Sequence, residues 1–433
     1  MIWQELARRE ADGRPICIGV NGAGWMGSGF VAQVARMRGM RVSVLADADT
    51  TAARQALIAS GVPADSIVEA EAPGPAADAL RAGRRVITAS CSLAAEIDAV
   101  DVVVDVTPSA ALGAETAHAA IRHGKDVVLV NIEADVTVGR ILSRLARQAG
   151  VLYTVSSGDE PGCLMELYGF VTTLGYELTA IGKGKNNPLN TLATPDTVAE
   201  AARRAGKDPF QVASYVDGTK TMFEMACAAN ATGCVPLRRG MVGPIVDGDG
   251  SSPLEKVSQI FALEEDGGIV KSPGVVDFVQ GTAMAGGVFV TVRIQDERIR
   301  ADLEYLKVGR GKYYTFFRPY HLWFLEAPIS VARAVLKRET TLVPLERPVA
   351  EVMTVAKRAL RPEERLDDVG GYTFYGVIER AEEASRLNAL PAGLAPFARV
   401  VRPLPAGSIV TWDDVSLDES SVLVQLRREQ DAL

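Results

Sequence analysis

The sequence predicts an α/β protein in three parts, and three observations carry that prediction. From Arg14 to Ser156, short apolar runs alternate with helical patterns, the signature of a parallel sheet with crossover helices. After Ser156 the pattern changes to a polar turn, a helix and a strand rich in glycine and lysine. Toward the end, Arg358–Leu366 partly repeats in Arg402–Val410. The expected divisions are 1–156, an α+β middle domain at 157–340 for substrate and oligomerisation, and a small β-rich domain at 341–433. A length of 433 residues suits two or three domains at ~150 residues each.

The first element is an amphipathic polar helix, Met1–Glu10, with no apolar core or cleavage site of a signal peptide. Pro15–Asn21 reads as a strand, with Pro15 at its start. Gly22-Ala23-Gly24-Trp25-Met26-Gly27 follows, then a helix to about Arg38, then a strand Met40–Ala46. Asp47 lies 20 residues beyond Gly27. Strand, glycine turn, helix, strand and acid form the dinucleotide-binding (Rossmann) arrangement. Gly22 allows the tight turn, Gly24 lets backbone meet a pyrophosphate, and Gly27 lets helix and strand pack closely. The helix N-terminus offers N–H groups and a positive dipole end to phosphate. Asp47 has two readings, a ribose ligand that favours NAD or an N-cap of the next helix. Arg54 is placed to receive a 2′-phosphate instead.

Further buried strands are expected at Arg84–Thr88, Asp101–Thr107, Lys125–Asn131 and Val151–Ser156, with helices at Ala114–His123 and Val138–Gln148. Thr107, Pro108, Asn131 and Glu133 then fall at the carboxyl edge of the sheet, where ligands bind. They are expected to flank a nicotinamide. His118 and His123 read as surface residues.

In the middle part, Asp159 and Glu160 precede a helix Cys163–Leu174. They are either dipole-matched helix-start residues or carboxylates beside a substrate. Tyr176–Asn190 begins as a strand. If it continues, Lys183, Lys185 and Asn187 share a face, because side chains alternate with period two. With Asn186 they form a candidate oxyanion site; the plainer reading is a solvated strand end. Gly182 and Gly184 leave the other face bare for close backbone approach. Asp217 and Lys220 open a helix toward Asn230 and reach a substrate together, unless Asp217 is only a cap. Lys307–Pro328 is aromatic, and Arg318 and His321 stand out in it as substrate-pocket candidates. In the last part, a helix pattern is expected near Val377–Asn388.

Composition excludes several classes. The 46 basic and 54 acidic residues leave a net charge of −8, which argues against nucleic acid as partner. No apolar run approaches the ~20 residues of a bilayer span, so no membrane is expected. Five scattered cysteines and three histidines support neither a disulfide framework nor a metal site. No acid cluster with ligand geometry is apparent, so no metal is expected, and the composition reads as reduced and cytoplasmic.

The glycine loop, Asp101-Val-Val-Val-Asp-Val-Thr107, Asn131 after a strand, and the lysine-bearing second domain resemble the homoserine dehydrogenase superfamily. That family has Asn-Lys where this chain has Asn131-Ile132, and its Asp and Lys lie four apart where Asp217 and Lys220 lie three apart. Arg402–Val410 with Thr411-Trp412-Asp413-Asp414-Val415 resembles a SAF-type β-clip unit, which implies a lid or a subunit contact. Together with Gly182–Asn187, the chain is more similar to the deoxyxylulose-phosphate-reductoisomerase-like proteins. That resemblance implies NADPH as cofactor, with NADH admitted. It also implies conversion of 1-deoxy-D-xylulose 5-phosphate to 2-C-methyl-D-erythritol 4-phosphate for isoprenoid biosynthesis. Lys183, Lys185 and Lys220 would act as electrophiles, and Asp217, Asp159 or Glu160 as proton relays. Enzymes on this scaffold pair through the middle sheet, which implies a homodimer or homotetramer. Two alternatives stand: an NAD(P)-dependent oxidoreductase like homoserine dehydrogenase, acting on a small hydroxy acid or sugar acid, and a non-enzymatic dinucleotide-binding redox sensor. A phosphorylated or polyhydroxylated small molecule is the expected partner.

Overall fold

The structure is a computed structural model that describes residues 1–247 and 252–433. The chain forms two compact units. The first holds Met1–Gly162, Leu322–Pro344 and Glu419–Leu433; the second holds Cys163–His321 and Leu345–Asp418. Residues 345–418, the body of the expected third part, thus group with the middle segment.

The first unit is built on a seven-stranded sheet. Its strands are β1 (Ile16–Asn21), β2 (Met40–Ala46), β3 (Ile67–Glu69), β4 (Arg85–Thr88), β5 (Val102–Asp105), β6 (Asp126–Leu129) and β7 (Tyr153–Val155). They run in the order β3-β4-β2-β1-β5-β6-β7 and every pairing is parallel. Val-rich strands buried on both faces suit such a sheet, since helices cover each side. The order in which strands are added to the sheet reverses between β1 and β5, which makes the carboxyl edge there the ligand-binding crevice of this fold. β2 has its expected bounds, the other announced strands are shorter than their apolar runs, and β3 has no counterpart among the expected strands. Its three residues carry too little pattern to stand out.

Two later segments complete this unit. The helix Ala327–Lys337 adds Ala327, Val331 and Ala332 to the core beneath Ile18, Val20 and Phe30. The helix Val422–Asp431 docks on the helix Ile132–Ala149. There the Gln430 amide accepts from Ile141 N–H at 3.0 Å and donates to the Thr137 carbonyl at 3.1 Å.

The second unit has a five-stranded mixed sheet of β8 (Glu177–Lys185), β9 (Val235–Pro236), β10 (Val275–Gln280), β11 (Val288–Arg293) and β12 (Tyr313–Arg318), in the order β12-β11-β8-β10-β9. β8 is the central strand, parallel to β10 and antiparallel to β11. β13 (Ala350–Ala356) and β14 (Phe374–Arg380) form an antiparallel pair, as do the short β15 (Arg399–Val400) and β16 (Val415–Ser416). The partly repeated stretches meet in an antiparallel bridge of Leu360 with Leu404, and the second of them also bridges β13, Ile409 with Val355. The helix expected near Val377–Asn388 is corrected. Its first residues belong to β14, and only Ala381–Arg386 is helical. The alternation of Val377 and Ile378 pairs across to Met353 and Val352, and this strand pairing overrides local helix propensity. The buried Asn230 joins this region to its unit. Its Oδ1 accepts from Val349 and Ala350 N–H at 2.9 and 3.0 Å. Among the described residues, no helix is long and apolar enough to cross a membrane.

The Gln430 contacts give a stability test. Gln430→Ala removes two hydrogen bonds to buried backbone, although the Thr137 carbonyl keeps Arg427 Nη1 at 3.3 Å, and urea unfolding is expected to show a loss of about 0.5–1.5 kcal/mol.

Candidate functional site

In the first unit the chain leaves β1 through Gly22 at φ +103°, a backbone region open to glycine. A Cβ on Gly27 would lie 1.9 Å from the Gly22 carbonyl oxygen, so helix and turn close on each other only without a side chain there. A Cβ on Gly24, by contrast, would meet nothing within 4 Å. The turn therefore presents bare backbone to open space at Gly24, where the helix Trp25–Val34 begins. Its N-cap is a glycine without a side-chain cap, which leaves the first-turn N–H groups available to an anion. This cradle fits a dinucleotide pyrophosphate.

Asp47 stands at the end of β2. Its Oδ2 accepts from Ala23 N–H at 2.7 Å and its Oδ1 from Asp49 N–H at 2.9 Å. The N-cap reading of Asp47 is thereby corrected: Asp49 caps the helix Thr50–Ala59, accepting from Thr51 and Ala52 N–H. Asp47 braces the glycine turn, and each of its oxygens retains a further lone pair. Arg54 sits within that helix and donates to the Ile67 carbonyl at 3.4 Å, toward β3. Met26 packs on the core, and Ala23 is buried.

Asn131 is the N-cap of the helix Ile132–Ala149, its Oδ1 accepting from Ala134 N–H at 3.0 Å. Its Nδ2 donates to the Ser109 carbonyl at 2.8 Å and to Asp105 Oδ2 at 3.0 Å. The Thr107 hydroxyl also donates to Asp105, at 3.0 Å. Asn131 and Thr107 are thus held by a carboxylate that sequence reasoning did not single out. Asp105 is fully buried, and burial pushes its carboxyl up to about 7, against the lowering effect of the Asn131 and Thr107 hydrogen bonds. Pro108 is exposed, and Glu133 is buried in the first turn of the helix it opens. Asp159 and Glu160 are both buried, with Glu160 starting the helix Glu160–Thr173.

In the second unit, β8 places Lys183 and Lys185 on one face, both buried. A Cβ on Gly184 would lie 1.7 Å from the Met284 carbonyl oxygen, and one on Gly182 would lie 2.2 Å from that of Asp277. The glycines thus admit close backbone, as their spacing implies. The strand stops at Lys185, so Asn187 does not continue the face; Asn186 is exposed and Asn187 half-buried. Lys183 makes a buried ion pair with Glu224 of the helix Thr219–Thr232. Lys185 donates to the Tyr215 carbonyl at 2.5 Å. Burial, with Lys183 adjacent, lowers the Lys185 ammonium to about 8.

Asp217 and Lys220 do not act from one helical face. Asp217 ends the helix Pro209–Val216, and Gly218 at φ +89° separates it from the next helix. Its carboxylate lies 2.8 Å from Lys357 Nζ and accepts from Thr219 N–H at 2.8 Å. Lys357 also donates to the Ala193 and Gly371 carbonyls at 2.6 and 2.7 Å. Asp217 and Lys357 form a buried ion pair. Lys220 is half-buried in the first turn that follows. Arg318 pairs with Glu166 at 2.8 Å and lies over the Tyr320 ring. His321 Nδ1 lies 2.7 Å from the Gly286 carbonyl, which fixes the ring proton on that nitrogen.

Sequence reasoning passed over Glu224 and Lys357. Glu224 had a signal, one charge inside the apolar stretch Met222–Ala229. Lys357 looks like the start of a surface charge run, and only its tertiary partners reveal it.

Residues 22–156 match the family model described as "Homoserine dehydrogenase, NAD binding domain", and residues 158–327 match "Oxidoreductase DRL, catalytic domain". The chain is an NAD(P)-dependent oxidoreductase. Its cofactor is a nicotinamide dinucleotide. The resemblance to 1-deoxy-D-xylulose 5-phosphate reductoisomerase is corrected by the same findings. The models that match are these two and not that of the reductoisomerase, so the implied carbon-skeleton rearrangement and the role in isoprenoid biosynthesis fall away. No curated protein matches the chain. Among solved structures, scyllo-inositol dehydrogenase from Lactobacillus casei with bound NAD(H) and scyllo-inositol is similar at 12% identity, covering 76% of this chain and 92% of that one, with a TM-score of 0.41. A myo-inositol dehydrogenase from Corynebacterium glutamicum is similar at 11% identity, covering 64% and 72%, with a TM-score of 0.37.

The glycine geometry separates two variants. Gly24→Val is expected to keep the melting temperature of the parent while dinucleotide binding by calorimetry is lost; Gly27→Ala, which collides with the Gly22 carbonyl, is expected to lower it. Asp105 supplies a pH test. Its carboxyl is raised in the folded state, so the folded chain holds a proton that the unfolded chain releases near pH 4. Its contribution to stability is full below about pH 4 and is lost as the pH rises to about 7. Unfolding curves of Asp105→Asn are therefore expected to gain on the parent across that window and to stay parallel above it.

Proposed function

We propose that this oxidoreductase is a simple dehydrogenase of a small hydroxy acid or sugar acid, with Lys185 as its proton-transfer group. When bound, the dinucleotide supplies or accepts the hydride. The observation that carries the reading is the lowered ammonium of Lys185 beside the Lys183–Glu224 pair. A group that ionises near working pH both takes and returns a proton efficiently. In the oxidation direction the neutral Lys185 amine takes the proton from the substrate hydroxyl as the carbonyl forms. In reduction the ammonium returns it to the carbonyl oxygen. Burial, with Lys183 beside it, lowers the Lys185 ammonium, against the raising effect of Glu224 and Asp217.

The charge count speaks to the substrate class. Lys183 is balanced by Glu224 and Lys357 by Asp217, which leaves Lys185 as the surplus positive charge of this cluster. When protonated, Lys185 offsets at most one carboxylate; as the neutral base it offsets none, which suits a polyhydroxylated group. A phosphate dianion would be left under-neutralised. For the cofactor, the Asp47 carboxylate at the end of β2 favours NAD, because it attracts ribose hydroxyls and repels a 2′-phosphate. Arg54, engaged by the Ile67 carbonyl, does not offset it.

The test is a screen of homoserine, other hydroxy acids, sugar acids and polyols with NAD and NADP, following cofactor reduction. Turnover is expected with one of these classes and with NAD preferred. Its rate in the oxidation direction should rise through about pH 8. Lys185→Met is expected to lower kcat roughly 100-fold to 10,000-fold with dinucleotide affinity unchanged. A Lys185→Met enzyme of normal kcat would remove the assigned role.

A further inference from the structure

The glycine turn carries a large aromatic group that the dinucleotide motif does not require. Trp25 opens the helix directly after Gly24 and is 50% exposed. Its ring meets Trp323 edge-to-face, with centroids 5.1 Å apart at 82°, and Phe324 at 5.6 Å and 85°. The backbone is adapted to keep these rings in place. Gly29 has no side chain where a Cβ would lie 2.5 Å from the Phe324 ring. Trp323 adopts φ +40°, a conformation costly for a residue with a bulky side chain. It is clasped from both sides by Gly158. Trp323 N–H donates to the Gly158 carbonyl at 2.7 Å, and a Cβ on Gly158 would lie 2.2 Å from the Trp323 carbonyl oxygen. Strain of this kind persists where the surroundings over-determine it, and it concentrates at ligand sites.

The position of the clasp indicates which half of the cofactor is involved. Gly158 lies three residues past β7, on the β5–β6–β7 side of β1. Asp47 follows β2, on the other side of β1. In this fold the acid after the second strand serves the adenosine ribose. We infer that Trp25 and Trp323 form a clasped aromatic wall that positions the nicotinamide half of the bound dinucleotide at the glycine turn. Flat, rigid indoles suit this task, because they stack on a planar ring and exclude water at little entropic cost. Both are positioning residues, and Gly158 positions Trp323.

The experiment compares NADH with ADP-ribose, which keeps the adenosine half and the pyrophosphate and lacks the nicotinamide. Affinities of both are measured by calorimetry on the full chain, and energy transfer from tryptophan to NADH by fluorescence. Trp25→Ala and Trp323→Gly are expected to weaken NADH roughly twofold to tenfold, to lose most of the energy transfer, and to leave ADP-ribose affinity as in the parent. Trp323→Gly suits the left-handed backbone, and Trp25→Ala makes no demand on it, so the pair guards against a folding failure in either. Trp3→Phe, at an exposed residue of the N-terminal helix, is the control and should change neither ligand. Equal weakening of NADH and ADP-ribose would mean that the rings only shape the turn, and unchanged NADH affinity in both folded variants would mean that they touch no cofactor. Either result overturns the inference. No substrate is used, so the outcome is separate from that of the Lys185 test.

Discussion

The Gly22 carbonyl occupies space that a side chain on residue 27 would need, and the first unit is organised around that contact. Backbone packed on backbone fixes where the helix starts and how far the turn projects. Asp47 then ties the turn to β2 through Ala23 N–H, so the anion-facing amides are held before any ligand arrives. A site preorganised in this way avoids ordering its donors at the moment of binding. The open space at Gly24 and the clasp on Trp323 have meaning only relative to this fixed turn.

The second unit solves a different problem, the burial of charge in a sheet centre. Isolated buried ions are very unfavourable, and those on the described residues are paired or hydrogen-bonded. Glu224 meets Lys183, and Asp217 meets Lys357. Lys185 donates to a neutral carbonyl, that of Tyr215, at 2.5 Å, and burial, with Lys183 beside it, lowers its ammonium to about 8. Burial thus makes Lys185 a group that titrates at about 8. The same logic at the sheet edge of the first unit makes Asp105 a buried carboxyl that organises Asn131 and Thr107.

Legibility in the sequence followed the range of the interactions. The glycine turn, Asp47 and the strand with Lys183 and Lys185 were readable, because each rests on spacing within a few residues or on a strand–turn–helix order. Asn187 was misplaced because the end of β8 is decided by its neighbours: pairing with β11 ends at Lys183 and pairing with β10 at Lys185. Asp217 was read with Lys220 because they are adjacent in sequence; its true partner, Lys357, lies 140 residues away. Trp323 gave no local sign; its positive-φ backbone sits against Gly158, a residue far away in the chain.

By itself the sequence determined the α/β architecture of the first unit, the dinucleotide turn and the presence of two inward lysines, because glycine sterics and side-chain alternation are local and need no partner. Only the tertiary structure decided which charges cancel, which lysine keeps a lowered ammonium, and which rings border the turn. Those outcomes depend on desolvation and on contacts between residues far apart in the chain, and no pattern of neighbours encodes them.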